Sequence, residues 1–293
     1  MDYKEAFLSY LKFEKRYSQH TVKAYRKDIE QFKEYCLNNR ADMFPPDDYR
    51  VVRGWMAHLS TGRVSSRSIN RKLSTLKSFY RFLLQKGHVR FNPMGKVISP
   101  KVSRKLPVFI EQEQMVSLLE DYDFGDDYAG RRNQLIIDLL YCTGIRVSEL
   151  VNLKVKDVNL SSSAIRVLGK RNKERIIPLV REVASSIKSY LEEFRDKISS
   201  ETDCLFFTNR GKPVYARFVY RIVRDYVGLV STLEKRSPHI LRHSFATHML
   251  NNGADLNAIK ELLGHANLSA TQVYTHNSFE KLKQIYKQAH PRA

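Results

Sequence analysis

The chain has 293 residues, 42% of them apolar, with a formal net charge of +19 and a pI near 9.8. That length predicts about two domains, and the charge predicts a polyanionic partner, nucleic acid before membrane. No apolar run approaches the roughly 18–20 residues that cross a bilayer, and Met1-Asp-Tyr-Lys-Glu-Ala lacks the apolar segment of a secretory leader. Cys36, Cys142 and Cys204 lie far apart among apolar neighbours. They read as free thiols of a reducing cytoplasm, and no Cys/His cluster has zinc-ligand spacing.

The first hundred residues read as helices. Val22, Tyr25, Ile29, Phe32 and Cys36 recur at helical spacing after a cap at Ser18. Pro45-Pro46-Asp47-Asp48 opens a helix carrying Val51, Val52, Trp55, Met56 and Leu59. A third begins near Ser65 or Ser66, with Ile69, Leu73, Leu76, Tyr80 and Leu83 on one face and Arg67, Arg71, Ser74, Ser78 and Arg81 on the other. Gly87 is its expected stop. Between Asp48 and Glu111 there are fourteen basic residues and no acidic one. A merely solvated face mixes signs, because opposite charges at i,i+4 support a helix. The run therefore reads as a surface that tracks phosphates, with Arg67, Arg71, Arg81, Lys101 and Arg104 as DNA-binding candidates.

Residues 93–107 carry Pro93, Gly95, Pro100 and Pro107 without periodicity and read as a linker between a helical domain, 1–92, and a second domain, 108–293. The second domain reads as mainly α with a small antiparallel sheet. Leu135 to Tyr141 is an apolar helix that Gly144 ends in the left-handed conformation, which leaves Arg146 on a turn. Ile165–Leu168 and Arg175–Pro178 form a hairpin with Lys170 at its tip. Ser237-Pro238 caps a helix whose first turn presents His239 and Arg242 on one face, where free N–H groups and the positive dipole end favour phosphate. A short helix from Asp255 to Leu263 stops at Gly264, just before His265. Tyr274 falls in a helical segment, and Phe279 to Ala289 is an amphipathic tail with Leu282, Ile285 and Ala289 on one side.

These residue types suit an attack on a phosphodiester. Its oxygens repel nucleophiles, so a catalyst must neutralise the charge that builds on them. Arginine does so with a planar fork that stays protonated. A phenol, of pKa about 10, needs a base or a positive field to attack. Lysine or histidine can protonate the leaving alkoxide. The sequence has no carboxylate cluster of the two-metal kind and no P-loop, so a metal-free covalent route with no cofactor fits best. Taken singly, each residue has a plainer reading: a surface arginine, a solvated lysine, a capping histidine, one of 16 tyrosines. Only the joint order is specific.

Thr143-Gly-Ile-Arg-Val-Ser-Glu-Leu150, Ser237-Pro-His-Ile-Leu-Arg-His-Ser-Phe-Ala-Thr-His248, Leu262-Leu-Gly-His-Ala-Asn-Leu268 and Thr271-Gln-Val-Tyr-Thr-His276 together resemble the tyrosine recombinase (integrase) family. The likeness is strongest to its Xer type and covers nearly the whole chain, including the ending His290-Pro-Arg-Ala293. It implies a helical core-binding domain followed by an α+β catalytic domain. Tyr274 would form a 3′-phosphotyrosyl bond, Arg146 and Arg242 would clamp the phosphate with His265, Lys170 would protonate the 5′ oxygen, and His239 would assist proton transfer. It also implies work as a tetramer on two double-stranded DNA sites for chromosome dimer resolution. A second recombinase and a septal DNA translocase are its candidate partners, and the tail is passed to a neighbouring protomer. The absence of an extra arm-binding segment before the first helix favours the Xer type over an integrase of a mobile element. A type IB topoisomerase-like relaxing enzyme is the other alternative. One position departs: the family hairpin commonly has glycine where this chain has Arg171, at a cost of about 1 kcal/mol if that position needs positive φ.

Overall fold

The computed structural model describes residues 2–39, 44–102, 108–169, 174–194, 203–264 and 276–292. The chain divides into two compact units, Met1–Leu106 and Pro107–Ala293.

Among its described residues the first unit holds four α-helices: α1 (Tyr3–Ser9), α2 (Gln19–Asn38), α3 (Tyr49–Thr61) and α4 (Ser66–Gln85). Each begins where a short polar side chain accepts from a free backbone N–H. Asp2, Ser18, Asp48 and Ser65 serve α1 to α4 in turn. The buried stripes of α2, α3 and α4 meet around Phe32, Trp55 and Phe79, with Phe7 of α1 tilted against Phe79 at 5.3 Å. The segment expected as the start of a linker belongs to this unit. Pro93–Lys96 forms a 3₁₀ turn, Pro93, Met94 and Val97 are buried, and Asn70 Nδ2 donates to the Pro100 carbonyl at 2.9 Å. A 3₁₀ turn has no 3.6-residue period, so it left no trace in the pattern.

The acid-free basic run is not wholly free. Asp28 of α2 is buried, and both of its oxygens are taken by α4. Arg71 bonds it through both Nη atoms, Lys72 at 3.0 Å and Thr75 at 2.9 Å. Arg71, expected on the DNA-facing side, is thus half committed to the core. The partner acid lies 43 residues earlier, outside the run. Arg67, Arg81 and Lys101 are exposed as expected, while Arg104 lies outside the described residues.

The second unit runs α5 (Gln112–Val116), α6 (Tyr128–Thr143), α7 (Val147–Leu150), a sheet, then α8 (Arg181–Phe194), α9 (Ala216–Val230), α10 (Pro238–Asn251), α11 (Leu256–Leu263) and α12 (His276–Ala289). The sheet is antiparallel in the order β1 (Val158–Asn159), β2 (Ala164–Leu168), β3 (Glu174–Pro178). Ile165 pairs with Ile177 and Val167 with Arg175. Helix α6 is the spine: every residue from Leu135 to Thr143 is buried, as for a helix walled by others on all sides. It packs on α8, α9 and α10. The tail is expected to dock on a neighbouring protomer rather than only on its own unit. Here Leu282, Tyr286 and Ala289 of α12 are buried in their own unit. Tyr286 Oη donates to the Cys142 carbonyl at 2.8 Å, and Arg292 Nη1 meets Asp138 at 2.5 Å.

Asp28→Ala leaves Lys72 buried without its counter-charge, which costs about 3–5 kcal/mol. The expected outcome is a lower urea midpoint for the full chain, read by fluorescence of Trp55, the single tryptophan, which lies in the core of this unit. A midpoint equal to wild type would show that Asp28 does not anchor α4.

Candidate active site

Three arginines from separate parts of the chain converge on one helix end. Gly144 closes α6 at φ 60, and a Cβ there would come within 2.6 Å of the Phe245 ring and 2.8 Å of Leu263. Glycine is required twice over, by the left-handed turn and by the close packing. The turn sends the chain into Arg146, the cap position of α7. One turn on, the Glu149 carboxylate accepts from the Arg146 backbone N–H at 2.7 Å, the reverse half of a capping box, and from Arg146 Nη1 at 2.8 Å.

Glu149 is buried, and Arg175 of β3 grips it with two parallel bonds at 2.9 and 2.8 Å. The alternation of β3 turns Arg175 inward on the same face as Ile177. Helix α11 supplies the other side. Gly264, at φ 63, ends it in the left-handed conformation. Its last carbonyls point at the arginines: Leu262 accepts from Arg175 Nε at 2.9 Å, Leu263 from Arg242 Nη2 at 2.6 Å, and Gly264 from Arg146 Nη2 at 3.1 Å. A helix C-terminus is the negative end of the dipole and has unsatisfied carbonyls, so it suits cations. Arg242 also donates from Nη1 to the Gly144 carbonyl.

Three guanidiniums gather around one carboxylate, which pairs with Arg146 and Arg175, so the cluster stays positive. Arg242 registers this: burial first, then Arg146 and Arg175, lower its pKa to about 10, against a smaller opposing pull from Glu149. It remains a cation at neutral pH. For Glu149, burial alone would push the pKa up. The hydrogen bonds and charge of Arg175, followed by those of Arg146, outweigh that and hold it below the usual value.

The structure thus brings together Arg146 and Arg242, as the sequence predicts. His239 sits at the second position of α10, exposed, three residues before Arg242. Ser237 precedes the helix as expected, but its hydroxyl makes no capping bond, and Pro238 fills the first position. Lys170, His265 and Tyr274, with Arg171, lie outside the described residues. Their flanks are fixed: Leu168 and Glu174 pair across the hairpin, Gly264 directly precedes His265, and α12 begins two residues after Tyr274. The sequence reading missed Glu149 and Arg175. An arginine at the inward position of an alternating strand was the available signal, since arginine is rarely buried without a partner and an acid is the common one.

Glu149→Gln should weaken the catalytic unit, because Arg175 loses its buried counter-charge. The pH dependence gives a sharper check. A carboxylate with a depressed folded pKa contributes stability above its ordinary value, about 4.3, and loses it as pH falls through the folded one. Calorimetric unfolding of wild type should therefore show a stability loss below that pH which Glu149→Gln lacks. An identical acid slope in both would refute the assignment.

The comparisons with known proteins identify the family. The Phage integrase family matches residues 108–281, and the phage integrase N-terminal SAM-like domain matches residues 5–87. Tyrosine recombinase XerC of Staphylococcus saprophyticus is 40% identical over 289 residues, covering 99% of this chain and 97% of that protein. Tyrosine recombinase XerD of Staphylococcus epidermidis is 38% identical over 292 residues, covering 99% and 98%. The XerH recombinase bound to its difH substrate shares the fold, with a TM-score of 0.68 at 24% identity over 96% of this chain and 83% of that one. With both units matched and the arginine motifs in place, the chain belongs to the phage integrase family and is a tyrosine site-specific recombinase of the Xer type.

Proposed function

We propose that this recombinase cuts and rejoins double-stranded DNA through a 3′-phosphotyrosyl intermediate. The observation that carries the reading is the under-neutralised arginine cluster at the end of α11. Arg146 and Arg242 present guanidinium forks held by backbone carbonyls, and a scissile phosphate supplies the missing negative charge. Tyr274 attacks phosphorus, and its phenolic proton passes to a base, His239 being the candidate. The P–O5′ bond breaks, Lys170 protonates the departing oxygen, and His265 donates to a non-bridging oxygen. The phosphotyrosyl bond conserves the diester energy, so the reverse attack by a 5′-hydroxyl reseals the strand without a metal or nucleotide cofactor.

The substrate reading has support from the charge of the first unit and from α9, which exposes Arg217, Tyr220, Arg221 and Arg224. Work as a tetramer on two sites, with or without a second recombinase, is part of the proposal. So are a cytoplasmic location and a role in chromosome dimer resolution. The Xer names of the relatives favour that role over mobile-element integration. No described helix is long and apolar enough to cross a membrane.

A nicked duplex that traps the covalent complex tests the chemistry. Wild type should form a protease-sensitive adduct, and Tyr274→Phe should form none while binding DNA normally. Arg146→Ala and Arg242→Ala should each lose roughly 10²-fold in cleavage, the scale for removing one donor to a developing oxyanion. An adduct in Tyr274→Phe, or cleavage within twofold of wild type in both arginine variants, would overturn the reading.

The salt dependence of DNA binding separates free from committed cations. Each phosphate contact adds about 0.9 to the slope of log K against log salt. Replacing Arg67 and Arg81 with glutamine should flatten the slope by up to about 2, whereas Arg71→Gln should change it less, because Asp28 already holds that side chain. An Arg71 effect larger than that of Arg67 would reverse this ranking.

A further inference from the structure

We propose that the cleft between α6 and α9 binds a small planar aromatic anion, a ring carrying one carboxylate or phosphate monoester. The cleft has a volume of about 550 Å³, within the range of small-molecule sites. Its floor is Arg132 of α6, only 3% exposed. The hydrogen bonds of this guanidinium run to neutral groups: Nε and Nη2 to Asn133 Oδ1, Nη1 to the Phe207 carbonyl and Asn209 Oδ1, with the neutral Tyr128 side chain beside them. Among the described residues Arg132 has no ion pair, unlike buried Arg175, which holds Glu149. A buried cation without an opposite charge is costly, and burial accordingly lowers its pKa.

The walls supply the ring site. Phe218 lies under the Arg132 guanidinium at 4.8 Å and under that of Arg221, at the rim, at 5.7 Å. Tyr226 is braced by stacking on Phe124 at 4.7 Å, and Tyr122 meets it edge-on at 5.8 Å. Tyr122 and Leu229, at the mouth, are 40% and 57% exposed, large apolar surface for a chain of this charge. The cleft's one carboxylate, Asp225, is engaged by Arg224 at 2.9 Å. Two cations and three rings therefore face a space whose single acid, Asp225, is paired at the rim with Arg224. A duplex cannot reach this floor, because Arg132 is enclosed by α6, α9 and the 207–209 segment; a flat ring with an anionic group can. The proposal is independent of the strand-cleavage chemistry, since none of these residues belongs to the arginine cluster.

The probes are 2-naphthoate and its neutral analogue 2-naphthamide, with affinities for the full-length protein read by saturation-transfer NMR titration. Naphthoate should bind at least tenfold more tightly than the amide. Arg221→Gln and Phe218→Leu should each weaken naphthoate at least fivefold. Arg132→Lys, which keeps the charge and loses the fork, should weaken it too. Arg221 is exposed, so its variant tests the site even if Arg132 variants fail to fold. Adenosine monophosphate that displaces naphthoate would assign the site to phosphate monoesters, and failure to displace it would assign the site to carboxylates. Equal affinity for the two naphthyl probes would overturn the proposal. So would binding within twofold of wild type in both Arg221→Gln and Phe218→Leu.

Discussion

Everything at the candidate active site hangs on the carboxylate of Glu149. Arg146 and Arg175 come from segments 29 residues apart and would repel one another if brought together bare. Glu149 accepts from both. Removed from water, such a carboxylate would itself be costly; held by four hydrogen bonds, one from the Arg146 backbone, it is tolerated. The end of α11 completes the arrangement with three successive carbonyls. Helix dipole, carboxylate and left-handed glycine together fix three forks while leaving the cluster net positive. The phosphate clamp proposed for this cluster needs that imbalance, because full neutralisation would leave nothing for the ligand to answer.

Helix α6 ties this cluster to the rest of the unit. Its last turn gives the Gly144 carbonyl to Arg242 and the Cys142 carbonyl to Tyr286 of α12, with His290 Nε2 within 3.1 Å of the same oxygen. Burial lowers the pKa of His290 to about 3, so it is neutral at physiological pH, and Arg292 beyond it closes on Asp138. The clamp and the helix that follows the candidate nucleophile are thus both hung from one buried helix end. On its own unit the stripe of the tail packs on α10 and β3, and Tyr286 reaches the Cys142 carbonyl of α6.

Much of this was legible in the sequence because it rests on local rules. Helical period and polar caps located α2, α3 and α4, and the two left-handed glycines marked the ends of α6 and α11. Alternation placed the hairpin on either side of Lys170. What escaped was non-local pairing. Nothing near Arg71 in the chain reveals that Asp28 holds it, and an acid-free run looks uniformly available until the fold brings a carboxylate from elsewhere. Arg175 hid for the same reason, and the 3₁₀ turn at Pro93–Lys96 has no period to read.

The arginines of this protein sort by what answers their charge. Arg71 and Arg175 meet buried carboxylates bidentately, and Arg292 meets the nearly buried Asp138. Such a fork is structural, because its charge is spent. Arg242 and Arg132 bond only neutral oxygens, and Arg146 shares a carboxylate that Arg175 already grips. These keep most of their field for something else. Total charge cannot separate the two kinds, since each counts +1 at neutral pH. The distinction lies in the acceptor: a carboxylate cancels a guanidinium, whereas a carbonyl orients it and leaves it hungry for an anion. On this criterion the cluster at α11 and the cleft floor at Arg132 are two places among the described residues where buried or half-buried positive charge is held ready rather than used up.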